Sequence, residues 1–247
     1  LLNLQGLMLV VLFSRALLDP VLNMTRIDVM GQDIGAGALI NLAVLMVAGI
    51  LFLRRPERAG RERFFLRWAL FLLLAGITVL YAPDPGRGIR TFLNLASYAG
   101  MALIPFLVTG TEGERRFWLR ALFWATVLPV LFANADCIGG GTMSHDAGIR
   151  IQGTFTHPNI LAFFLVFTII LVFYAITTGL FRLTPGRRLL IGLYLADVVL
   201  LLIATKTRSA WASCWAFFAI YGLIRDRRFL AVALVAPVAM LLHPEIR

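Results

Sequence analysis

Cysteine, histidine and charged side chains are all scarce in this chain, and each scarcity excludes a class of protein. Two cysteines, Cys137 in a connecting segment and Cys214 within an apolar run, are too few in 247 residues for a disulfide framework. Three histidines, and no second His or Cys at ligand spacing from the adjacent His145 and Asp146, leave no metal-site pattern. Charged residues make up only 15% of the chain, and no polar stretch is long enough to be a soluble domain between apolar runs. Period-2 alternation of apolar and polar residues is lacking, which excludes a membrane β-barrel, and no fixed-period repeat occurs. Lysine occurs once, at Lys206, so arginine supplies nearly all of the net charge of +10.

What remains is apolar. Hydrophobic residues are 60% of the chain and mean hydropathy is +0.86, more apolar surface than a soluble domain of this length can bury. A bilayer core asks for about 20 apolar residues per helical span. Segments of that kind fall at roughly 1–18, 34–53, 64–81, 91–109, 117–135, 157–180, 189–205, 209–224 and 229–242. The last two are short for a full crossing. The expected fold class is all-α: a polytopic membrane helix bundle of about nine spans, forming a single transmembrane domain over 1–247. Leu1 lies inside an apolar run and His243 to Arg247 follow another, so the chain is expected to be the N-terminal part of a longer protein.

The basic residues lie in short clusters between apolar runs, which argues against nucleic acid as a partner and for the lipid bilayer. Arg54, Arg55, Arg58, Arg61 and Arg63 crowd the second connection. Arg115 and Arg116 follow in the fourth, Arg182, Arg187 and Arg188 in the sixth, and Arg225, Arg227 and Arg228 in the eighth. The intervening connections carry fewer: Arg26, Arg87, Arg90, Arg150, Lys206 and Arg208. Positive-inside asymmetry then puts the N-terminus and the even connections in the cytoplasm, and the odd connections at the periplasmic or outer face.

On that outer face, Arg90, Arg150 and Arg208 each precede a span whose N-terminus points outward. Helix N-termini carry unpaired N–H groups and partial positive charge, and guanidinium groups suit phosphate oxygens, so the combination fits a phosphate-bearing lipid headgroup. An arginine at a membrane boundary also simply snorkels to lipid phosphate.

Two stretches narrow the reading. One is Arg150-Ile151-Gln152-Gly153-Thr154-Phe155-Thr156-His157-Pro158-Asn159, followed by a long apolar run. The other is Thr205-Lys206-Thr207-Arg208-Ser209-Ala210-Trp211. Together they resemble the signature of the O-antigen ligase and polysaccharide polymerase superfamily: Arg, then Gly-Thr-Phe, His or Asn, Pro-Asn, a span, and Thr-x-Ser/Thr-Arg-Ser/Gly. The second stretch looks most like the exopolysaccharide polymerase branch. The resemblance covers roughly 130–225, with the signature region within 136–225.

The resemblance implies a glycosyltransferase with GT-C-like architecture in the bacterial inner membrane, working without metal or cofactor. It would move a glycan from an undecaprenyl-diphosphate donor to a glycan or lipid A-core acceptor at the periplasmic face, alongside other envelope polysaccharide-assembly proteins. Arg150 and Arg208 take the carrier-diphosphate role by motif position, with Lys206 and Arg90 as further cations. Gly153, Thr154, Pro158, Asn159 and Ser209 shape the site. His157 either caps its helix or serves as general base. The family's large periplasmic loop and its histidine are not present here, and His243 matches no motif, so the base is expected outside this sequence.

Asp197, mid-span, is a functional candidate or a hydrogen-bonded packing residue. Trp211 and Trp215 share one helix face and read as packing or interface anchors, with sugar stacking by Trp211 the alternative. A transporter or flippase for an anionic or lipid-linked substrate could use the same arginines to bind without reacting. A non-catalytic subunit of an envelope-assembly complex is the third reading.

Overall fold

The computed structural model describes residues 4–17, 21, 25–29, 32–54, 63–144, 148–180 and 184–231. In chain order these form α1 (Leu4–Leu17), β1 (Arg26–Val29), β2 (Gln32–Gly35), α2 (Ala36–Arg54), α3 (Arg63–Val79), α4 (Pro85–Val108) and α5 (Glu112–Ile138). There follow β3 (Thr142–Ser144), β4 (Gly148–Arg150), α6 (Pro158–Thr177), α7 (Pro185–Ala204) and α8 (Arg208–Ile224). The expected ninth span, 229–242, lies almost entirely outside the described residues.

Helix is the dominant structure, but nine spans is too many. Four helices among the described residues are long and apolar enough to cross a membrane: α2 from Gly37, α4, α5 and α6. α1 is 14 residues, α3 17 and α8 17, each short of about 20. α7 has the length, but Arg187, Arg188 and Asp197 lie within it. The apolar exteriors are those of a membrane protein.

Helix starts follow local chemistry. Asp84 caps α4 by accepting from Arg87 N at 3.0 Å, with Pro85 in the first turn, where its missing N–H costs nothing. Thr111 and Glu114 form a capping box before α5. Glu114 N donates to Thr111 Oγ1 at 3.2 Å, and Glu114 Oε2 accepts from Gly110 N and Thr111 N at 2.8 and 2.9 Å.

The chain divides into two compact units, Leu1–Ala125 and Thr126–Arg247. Each has its own buried cluster. In the first, Val44, Val47, Ala48 and Leu51 of α2 pack with Ile104, Leu107 and Val108 of α4 and with Trp118 of α5. In the second, α6 supplies Leu161, Leu165 and Ile169, packed with Val130, Val198, Leu201 and Trp211.

Two short antiparallel hairpins stand where the sequence suggests only connections: β1 with β2, and β3 with β4, the latter pairing Thr142 with Arg150 and Ser144 with Gly148. Glycine makes the second possible. Gly141 has φ +72°, and a Cβ there would lie 2.9 Å from Ile149 and 3.0 Å from the Arg150 carbonyl oxygen.

Candidate functional site

At one end of the second unit, the α5 C-terminus, the β3–β4 hairpin, the α6 start and the α7–α8 turn meet through side-chain hydrogen bonds. Arg150 is their hub. It closes β4 and is 8% exposed. Its Nε donates to Thr205 O at 2.8 Å, and its Nη2 donates to Asn159 Oδ1 at 2.8 Å and Thr207 Oγ1 at 2.7 Å. Thr205 is the residue after α7, where a helix leaves carbonyls unpaired. A guanidinium there completes the C-terminus and interacts favourably with the helix dipole.

This geometry amends the expectation for Arg150. The side chain turns inward rather than presenting its fork to an outside ligand, because three neutral oxygens of its own chain take Nε and Nη2. Those partners carry no charge, so they bind the guanidinium without neutralising it. Arg150 also lies in a strand, not immediately before α6.

The hub brings both signature stretches together, since Asn159 belongs to one and Thr205 and Thr207 to the other. Thr207 Oγ1 lies 3.2 Å from Asn159 Oδ1 and 3.3 Å from Thr205 O, so its own proton also goes to an internal acceptor. Thr207 is the residue before α8, yet its hydroxyl makes no cap bond there. The first amides of α8 therefore lack a side-chain cap. Around them Lys206, Arg208 and Ser209 are exposed. Arg208 is the first residue of α8, and no described residue bonds its side chain. Lys206 has φ +54°, a left-handed conformation that costs a non-glycine residue about 1–2 kcal/mol. The tight α7–α8 turn imposes it.

The loop between β4 and α6 is held by a residue that sequence reasoning missed. Asp136, in the last turn of α5, accepts through Oδ2 from Gln152 N at 2.8 Å and Gly153 N at 2.9 Å. Gly153 has φ +56° and presses on α5: a Cβ would lie 3.1 Å from Ala133 Cα and 3.3 Å from Ala133 N. Thr154 and Pro158 are buried beside it. An acidic residue ending an apolar helix just before a glycine run was the available signal for Asp136. Thr205 and Thr207 carried none beyond their places in the motif.

His157 is exposed and caps α6, its Nδ1 accepting from Asn159 N at 3.1 Å. An accepting Nδ1 puts the proton of the neutral ring on Nε2. The outward nitrogen is then a donor, which suits an anion's oxygen better than the abstraction of a proton. Trp211 is 8% exposed and donates from Nε1 to Leu202 O at 2.9 Å, so its ring is packing and not a sugar platform.

Set against protein-family models, curated proteins and solved structures, the chain matches none.

Two further candidates belong to α4 and α7. Arg90 belongs to the first unit and sits in the second turn of α4, not ahead of it. Asp197 accepts from Asn134 Nδ2 at 2.9 Å, while Thr126 and Tyr194 share a hydroxyl hydrogen bond of 2.9 Å. These two pairs tie α5 to α7 within the second unit. Among the described residues, no group of three His, Cys, Asp or Glu converges as metal ligands would.

Proposed function

We propose that the chain transfers or polymerises undecaprenyl-diphosphate-linked glycan onto an acceptor sugar hydroxyl, as a membrane polymerase or ligase of O-antigen or exopolysaccharide assembly. One observation carries the reading: Arg150 ties the two signature stretches into one end of a helical unit. That hub leaves Arg208, Lys206 and Ser209 exposed around the uncapped amides of α8.

In this reading the architecture is GT-C-like, in a bacterial inner membrane, with the N-terminus cytoplasmic and the site at the periplasmic face. The acceptor hydroxyl oxygen bonds to the anomeric carbon while the bond from that carbon to the carrier phosphate oxygen breaks. The electron pair leaves with the diphosphate, and a general base takes the hydroxyl proton. As the leaving group gains charge, Arg208 and Lys206 compensate it, and preorganised cations and helix amides do so at little reorganisation cost. His157 Nε2–H is a further donor. Arg150 is a positioning residue: it sets where the α7–α8 turn stands against α6, and its charge adds to the field.

A transporter or flippase is the second reading, and the Asp197–Asn134 pair within the helices favours it. Full-length protein with carrier-linked repeat units and no energy source separates the two. The transferase lengthens glycan, read as a ladder on a gel. Carrier translocation in liposomes with no new glycosidic bond would leave only the transporter.

A further inference from the structure

A different part of the molecule holds a second ligand opportunity, independent of glycan transfer. α3 and α4 are joined by a tight turn in which Leu80, Tyr81 and Ala82 donate backbone bonds to Ile77, Thr78 and Val79 at 3.1–3.2 Å. Gly88 seals the top, where a Cβ would lie 3.1 Å from Ala82 Cβ. Below that seal the helices leave a furrow of about 410 Å³, with Asp84, Arg87 and Thr91 on its rim and Val79, Phe92 and Leu95 beneath. A second furrow of about 450 Å³ adjoins it across Phe92, lined by apolar residues and glycine from Ala69 to Leu80. From Ala69 to the end of α3 at Val79 are ten helical steps, a run of ~15 Å, comparable to an acyl chain.

We propose that this pair of furrows holds one bilayer glycerophospholipid whose headgroup carries both a phosphate and a primary ammonium. Phe92 lines both furrows; the second is wholly apolar and the first is apolar beneath its rim, which suits the acyl chains of one lipid. The rim selects the head. Arg87 is exposed and no described residue bonds its guanidinium, which suits phosphate. Asp84 spends Oδ1 on Arg87 N, leaving Oδ2 outside that bond. Thr91 and Thr78 donate their hydroxyl protons to Arg87 O at 3.0 Å and Ala75 O at 2.7 Å, so they offer only oxygen lone pairs outward. A carboxylate and two hydroxyl acceptors fit an ammonium with N–H groups. A purely anionic head would face Asp84, a quaternary ammonium has nothing to donate, and diacylglycerol leaves Arg87 unused.

Native mass spectrometry of the detergent-purified chain tests this, with phosphatidylethanolamine, phosphatidylglycerol, phosphatidylcholine and diacylglycerol of matched acyl chains. Phosphatidylethanolamine is expected to be retained about fivefold over the other three. Arg87→Gln, at an exposed position, and Gly76→Leu, which fills the apolar furrow against Phe92, each remove that preference. Asp84→Asn keeps the capping oxygen and makes the ethanolamine and glycerol heads equal. Equal retention of all four lipids overturns the proposal, as does a preference that survives Arg87→Gln or Gly76→Leu, or an ethanolamine-over-glycerol preference that survives Asp84→Asn.

Discussion

Arg150 and Asn159, nine positions apart, are joined by a 2.8 Å hydrogen bond from Nη2 to Oδ1, and the same nitrogen reaches Thr207 across 57 positions. One buried guanidinium thus fixes three backbone segments at once. Removing it leaves the Thr207 hydroxyl as the one donor within reach of both Asn159 Oδ1 and Thr205 O among the described residues of the hub, and a single proton cannot serve both.

Arg150→Ala is therefore expected to cost about 2–4 kcal/mol, since three charge-assisted hydrogen bonds to a largely buried hub are lost. Arg150→Lys recovers little of this, because an ammonium lacks the planar fork that serves Thr205 O and Asn159 Oδ1 together. Arg208→Ala, at an exposed position, stays within about 0.5 kcal/mol. Thermal unfolding of the three variants in detergent checks the ordering. Equal stability of Arg150→Ala and Arg208→Ala would dissolve the hub.

Gly153→Ala is expected to cost about 1–3 kcal/mol, from strain at positive φ and the approach to α5. Adding Ala133→Gly does not rescue it, because the close contacts include Ala133 Cα and N, which remain. Asp136→Ala releases the same loop by removing the acceptor for two amides. Hydrogen exchange at Gln152 and Gly153 reports both effects, and unchanged protection in Asp136→Ala contradicts the clamp.

Asp197→Asn keeps an acceptor for Asn134 and is expected to leave stability within about 0.5 kcal/mol, whereas Asn134→Leu costs roughly 0.6–1.7 kcal/mol, the range for hydrogen bonds between membrane helices. Glycan-joining activity that persists in Asp197→Asn, with no proton dependence of any carrier movement, removes the transporter reading. Loss of proton-driven carrier translocation in that variant supports it.

Native cysteines test the proposed orientation. Cys137 is exposed near the end of α5 and Cys214 is half-buried within α8. A membrane-impermeant maleimide applied from the periplasmic side labels Cys137 and spares Cys214 if the signature end faces outward. Labelling of Cys137 only in inverted vesicles reverses the orientation.

Helices bounded by uninterrupted apolar runs were legible in the sequence: 34–53 became Ala36–Arg54 and 157–180 became Pro158–Thr177. Helices with charged first turns extend beyond the apolar runs that mark them. α4 begins at Pro85 because Asp84 caps it, and α5 begins at Glu112 because Thr111 and Glu114 pair. Capping chemistry extends both past the apolar limit that marks a span. Three-residue strands held by positive-φ glycines leave no periodicity to detect, so β3 and β4 were invisible. The resemblance implied a shared role for 150–159 and 205–211, but not the inward turn of Arg150. That turn depends on Thr205 O and Asn159 Oδ1 arriving from other segments, a tertiary fact with no local trace. Asp136 was hidden for the same reason, its partners being backbone amides sixteen and seventeen positions on.

The most direct measurement is the binding of undecaprenyl diphosphate and of undecaprenol to the purified chain, before and after Arg208→Ala. The diphosphate is expected to lose about tenfold in affinity, some 1.4 kcal/mol, while undecaprenol binding stays unchanged. Equal loss for both lipids, or none for either, would contradict a diphosphate site at the start of α8.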